Sequence, residues 1–153
     1  MKELIFPIIS TFFASFFFGL SLSSPKRSLL VSAFLGFFGF LVYSLIKHSM
    51  GSEYGAVFFG ALAASIPAEI FARTIKTPAT VIIFVAVIPL VPGLKLYQSM
   101  LYFAQSNVAE GTYEIVQTMI YTGYMAIAIT ISTMLGKFVI NPLFIRMRAK
   151  KAK

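Results

Sequence analysis

The 153-residue chain has no cysteine, no tryptophan and a single histidine, His48. It carries five acidic residues against thirteen basic ones, and charged residues make up only 12% of it. Without cysteine there are no disulfide scaffolds, Cys-based zinc sites or Cys nucleophiles. No cluster with metal-ligand spacing and no nucleophile–base pair is recognisable along the chain. A G-x-x-x-x-G-K phosphate loop is also lacking, which excludes ATP hydrolysis by that chemistry. The expectation is therefore no cofactor, no resident metal and no enzymatic activity.

What the chain has is apolar surface. Of its residues 58% are hydrophobic and 16% aromatic, with seventeen Phe, and the mean hydropathy is +0.86. A disordered chain needs low hydrophobicity. A soluble domain of this size has too little interior to hide so much apolar sequence. The sequence reads as an all-α integral membrane protein. Its net charge of +8 is not a nucleic-acid signal. Five of the thirteen basic residues crowd into Arg146–Lys153, and the rest lie singly or in pairs between apolar runs. That is the pattern of cytoplasmic flanks against anionic lipid, so the partner is the lipid bilayer and not nucleic acid. Residues 1–145 form one transmembrane helical domain, and residues 146–153 a basic cytoplasmic tail.

A spanning helix needs about 20 mostly apolar residues, at about 1.5 Å rise across a core about 30 Å thick. The first run is Leu4 to Leu22, ended by Ser23-Ser24-Pro25-Lys26-Arg27. It is longer than the apolar core of a signal peptide and four more runs follow, so it reads as a retained span. The second is Ser28 to Ile46, ended by Lys47-His48 and a turn at Gly51-Ser52-Glu53. The third is Tyr54 to Phe71, followed by a loop over Thr74-Ile75-Lys76-Thr77-Pro78. The fourth, Ala79 to Leu94, is interrupted at Pro89-Leu90-Val91-Pro92-Gly93, and a mixed stretch from Lys95 to Glu114 separates it from the fifth, Ile115 to Ile140. Lys and Arg counts set the orientation. With five spans, the N-terminus outside and the C-terminus inside, the inner face collects Lys26, Arg27, Arg73, Lys76 and the tail. The outer loop with Glu110 and Glu114 then has no basic residue. A re-entrant fourth run, giving four spans, would put the tail or both basic loops on the wrong side.

The third run repeats small residues every four positions, at Ala56, Gly60, Ala64, Ala68 and Ala72. Such a face permits close helix approach, as packing or as the wall of a path. Ser32, Gly36 and Gly39 make a weaker version in the second run. Thr11, Ser15 and Gly19 share a face of the first run, and Phe12, Phe13, Phe16, Phe17 and Phe18 turn towards lipid or packing. Thr118 and Thr122 in the fifth run either bond to their own helix carbonyls or offer hydroxyls to a polar solute. Pro89 and Pro92 remove backbone donors, and Gly93 loosens the chain further. The break is either a proline kink or a cavity-lining interruption of the kind on which secondary transporters build sites. Lys95 either faces an anionic group there or snorkels to the interface. Glu69 either pairs with Arg73 one turn on or serves as a proton-coupling carboxylate.

Three linked segments resemble the threonine/serine exporter family: Pro67-Ala68-Glu69-Ile70-Phe71-Ala72-Arg73, Lys76-Thr77-Pro78-Ala79-Thr80 and Ile88-Pro89-Leu90-Val91-Pro92-Gly93, with Tyr97 and Met100 after them. The Phe-rich first run and Ser24-Pro25-Lys26-Arg27 also fit, so the resemblance covers most of residues 4–140. The match is to the C-terminal half of ten-span members, which also occurs as a separate small subunit. The resemblance implies export of small polar metabolites, threonine and serine or dicarboxylates such as succinate, across the cell membrane. It further implies a complementary, larger membrane subunit. It marks the Pro89–Gly93 break and Tyr97 as the path, while Glu69 and Arg73 match family positions. An accessory subunit without a solute path, and a self-contained homo-oligomeric transporter, are the competing readings.

Overall fold

The computed structural model describes residues 2–140. The helices are α1 (Lys2–Ser21), α2 (Lys26–Met50), α3 (Glu53–Ile75), α4 (Ala79–Val87), α5 (Gly93–Ala104) and α6 (Val108–Leu135), with no strand among the described residues. A 3-10 turn, Ile88–Leu90, extends α4, and a π turn, Gly136–Ile140, ends α6. The basic tail, residues 146–153, lies outside the described residues.

Each helix stops where the local chemistry demands it. Ser23 turns left-handed after α1, with φ 53°. Pro25 opens α2, its fixed φ suiting a helix entrance. Gly51 ends α2 with φ 66°, a region open to glycine at no steric cost. The Ser52 hydroxyl then caps α3 by accepting from the Gly55 N–H at 3.3 Å. Lys76 closes α3 in a left-handed conformation, and Pro78 starts α4.

Several boundaries depart from the sequence reading. Lys26 and Arg27 belong to the first turn of α2, and Glu53 to the first turn of α3. Thr74 and Ile75 are helical too, which leaves Thr77 and Pro78 as the irregular part of that connection. The fourth run does not stop at Leu94; it resumes as α5 and continues to Ala104. The mixed stretch Lys95 to Glu114 is therefore helical on both sides of a short turn, and Glu110 and Glu114 sit in α6 instead of a loop. The Asn107 side chain causes this by capping α6, accepting from the Glu110 N–H at 3.4 Å. Glu110 then lies in the first turn, where the helix dipole favours a carboxylate.

The helices α1, α2 and α3 run antiparallel in sequence. Gly19 meets Leu29, and Gly36 meets Ser15. The small-residue face of α3 is a packing face: Ala56, Ala64 and Ala68 are fully buried. A Cβ built on Gly39 would lie 2.9 Å from the Ala64 Cβ and 3.0 Å from the Gly60 carbonyl oxygen. Close contact between helix backbones of this kind is how helices associate without a hydrophobic driving force. On the opposite side Phe13, Phe17 and Phe18 point outward. Helix α4 returns alongside α2, and Leu90 comes to rest against Gly60. Helix α6 runs in the same direction as α3. Tyr54 stacks on Tyr124 at one end, with centroids 5.7 Å apart, and Arg73 reaches Gly136 at the other.

Helices α2, α3 and α6 are long and apolar enough to cross a membrane, and α4 with α5 forms a bent pair that would make a fourth span. The described apolar part of α1, Phe6–Ser21, is a shorter helix. The architecture is thus an all-helical, multi-pass membrane protein with three to four candidate spans.

Candidate functional site

The centre of interest is the interruption between α4 and α5. Pro89 lacks the N–H that would continue α4, so the chain tightens into the 3-10 turn, with the Val91 N–H donating to Ile88 O at 3.0 Å. Val91 is extended (φ −65°, ψ 131°). Pro92 starts α5, whose first turn has no side-chain cap. The Gly93 N–H folds back onto Val91 O at 2.8 Å, and open space surrounds the position a Gly93 Cβ would take. The axes on either side of the break differ by 55°.

This break forms one wall of a cavity of about 420 Å³, within the range of about 300–1,000 Å³ usual for small-molecule sites. Residues Pro89 to Lys95 line it from α4 and α5, Tyr43 and Lys47 from α2, Glu53 from α3 and Tyr121 from α6. Glu53 organises the charges. Its Oε1 accepts from Lys47 Nζ at 2.6 Å, and its Oε2 accepts from Lys95 Nζ at 2.5 Å. One carboxylate thus joins the C-terminal end of α2, the first turn of α3 and the start of α5. The ammonium groups also sit over aromatic rings, Lys47 over Tyr43 and Lys95 over Tyr121, each 5.8 Å from the centroid. Tyr121 is only 5% exposed and gives the cavity a firm floor.

The structure gathers Pro89, Pro92, Gly93 and Lys95 at this cavity. Tyr97, one turn into α5, is 64% exposed and points elsewhere. Thr118 and Thr122 are not in the lining. Their hydroxyls donate to their own helix, Thr118 to Glu114 O at 2.8 Å and Thr122 to Thr118 O at 3.0 Å. Glu69 and Arg73 lie towards the other end of α3, 16 and 20 residues from Glu53, which is about 24 and about 30 Å at the helical rise of about 1.5 Å per residue. There Arg73 Nη1 lies 3.3 Å from Glu69 Oε2 and donates to Glu69 O at 2.6 Å. Arg73 Nη2 donates to Gly136 O at 2.6 Å. Gly136 leaves the room that the Glu69 carboxylate fills.

Sequence reasoning missed Glu53, Lys47, Tyr43 and Tyr121 as site residues. Lys47 and Glu53 had marked only the ends of apolar runs. The available signal was their opposite charge across a tight glycine turn, with Tyr43 one helical turn before Lys47. Tyr121 carried no local signal.

A family model described as "Threonine/Serine exporter, ThrE" matches residues 7–135. No curated protein matches the chain, and no solved structure matches it.

Proposed function

Because the chain belongs to the threonine/serine exporter family, whose members are membrane transporters and not enzymes, we propose that it is one half of a two-subunit secondary exporter in the cell membrane. In this reading the complementary subunit is a larger membrane chain of the same family, and the solute is a small polar metabolite, threonine or serine or a dicarboxylate such as succinate. The observation that carries the reading is the charged cavity at the Pro89–Gly93 break. Secondary transporters place their solute sites where a spanning helix is interrupted and its freed backbone groups meet a cavity. Gradient-driven alternating access would rock this half against its partner about that break.

The same reading keeps five passes, with the N-terminus out and the C-terminus in. The 55° bend falls well short of the reversal a re-entrant loop needs. Helix α6 runs opposite to α4, which fits one crossing between them. The Glu53 cavity then opens near the outer face and the Glu69–Arg73 pair lies near the inner one. Residues 1–145 act as one membrane domain.

The test is efflux from cells lacking their native exporters. They are loaded with threonine- or serine-containing dipeptides, or separately with succinate, and express this chain with and without its complementary half. Efflux that needs both chains supports the reading. No efflux with both chains at the membrane rejects it in favour of an accessory subunit, and efflux with this chain alone rejects the two-subunit form.

A further inference from the structure

The Glu53 cluster has an arrangement that a structural clamp alone does not require. Two ammonium groups from different helices converge on one carboxylate, each taking a separate oxygen, at 2.6 and 2.5 Å. They do so at the mouth of the cavity, in side chains that retain about a third to a half of their accessibility. The start of α5, from Gly93 to Lys95, lines the same cavity beside them. Both lysine ammonium groups lining this cavity are thus turned towards one carboxyl-sized position, and a residue of the chain itself fills it.

We propose that this position is the seat for the carboxylate group of the solute, and that Glu53 occupies it as an internal stand-in while the cavity is empty. The inference rests on the exporter reading for the identity of the solute, but the seat is defined by the chain's own residues. An entering carboxylate takes Lys95 and Lys47 from Glu53. A zwitterionic solute offers its ammonium to the displaced Glu53, whereas a dicarboxylate has no such group. Displacement also unties α5 from α3, since the Lys95–Glu53 pair is the polar link between them at this level. The helix is then free to swing about the Pro89–Gly93 hinge. Binding and movement are coupled through one exchange of carboxylates.

The size of the effect follows from competition. A seat filled by its own carboxylate about 90–99% of the time binds an external one about 10- to 100-fold more weakly than an open seat. The experiment is equilibrium binding to the full chain in lipid nanodiscs, with succinate, threonine and dimethyl succinate as probes. Wild type is compared with Glu53→Gln, Glu53→Asp and Lys95→Gln. Glu53→Gln is expected to tighten succinate by at least about tenfold, and threonine by less because the partner for its ammonium is lost. Glu53→Asp has too short an arm to hold both lysines and should fall between. Lys95→Gln should weaken both solutes by about tenfold or more, as the loss of one charge-assisted bond. The uncharged diester should bind none of the variants. Unchanged or weaker binding in both Glu53 variants overturns the seat, as does an absence of binding throughout. Export that persists while binding ignores Glu53 and Lys95 overturns the seat and leaves the exporter standing. Tight carboxylate binding without export does the reverse.

Discussion

Gly39→Ala is a single added methyl group at the crossing of α2 and α3, and the structure sets its cost. The new Cβ would stand 2.9 Å from the Ala64 Cβ and 3.0 Å from the Gly60 carbonyl oxygen. Neither neighbour can rotate away, because one is a methyl fixed to its backbone and the other is backbone itself. Helices α2 and α3 must therefore separate along the seam, at a cost of about 1–3 kcal/mol, the usual range for overpacking. Gly123→Ala supplies the control, since nothing lies within 4 Å of the Cβ it would add. Both substitutions share the same gain in helix propensity of about 1 kcal/mol, so that term cancels between them. The expected outcome is that Gly39→Ala is less stable than Gly123→Ala by about 1–3 kcal/mol, roughly a 5- to 150-fold difference in the unfolding constant. Reversible unfolding in mixed micelles with increasing SDS, followed by circular dichroism and tyrosine fluorescence, measures it. Equal stabilities within about 0.5 kcal/mol would refute the claim that backbone approach at Gly39 holds the bundle together.

Three further outcomes follow from the same geometry. Gly136→Ala drives a methyl into the space of the Glu69 carboxylate and should destabilise by about 1–3 kcal/mol in the same titration, an unchanged midpoint showing that the carboxylate has other room. Glu69→Gln keeps the side-chain size and leaves Arg73 its two carbonyl partners, Glu69 O and Gly136 O; we expect a folded protein whose export loses its pH dependence, and an unaltered pH profile removes Glu69 from proton coupling. Replacing Pro89 and Pro92 together by Ala allows α4 to continue into α5 and close the hinge, so efflux should fall by about tenfold or more with the protein still in the membrane, and full activity would dismiss the break as a plain kink.

Much of the architecture was legible because its causes are local. Pro25, Gly51, Ser52 and Pro78 each govern their own backbone, and the helix ends follow them within a few residues. The repeat at Ala56, Gly60, Ala64 and Ala68 announced a packing face, and those residues are buried. The break between Pro89 and Gly93 was legible for the same reason, because two missing N–H groups act where they stand. Where the reading failed, the signal was weak or misleading. The stretch from Lys95 to Glu114 mixes polar and apolar residues and looked like a connection, yet α5 and the start of α6 pack on each other, with Phe103 against Gly111.

The candidate site divides along the same line. Composition and apolar run length determined a helical membrane protein, the Pro-Leu-Val-Pro-Gly segment marked its interrupted helix, and the linked segments Pro67–Arg73, Lys76–Thr80 and Ile88–Gly93 carried the resemblance to the exporter family, since each depends on residues close in sequence. Lys95 was visible as a charge beside that interruption, but its partner was not. Glu53 lies 42 positions away from it, and Tyr121 lies on yet another helix. Only the folding of α2, α3, α5 and α6 around one cavity brings these groups within hydrogen-bond or ring-contact distance. Helical periodicity fixes which face of one helix a residue occupies, whereas the partner it meets is fixed by how the helices cross, and that is decided by packing at places such as Gly39 and Gly60.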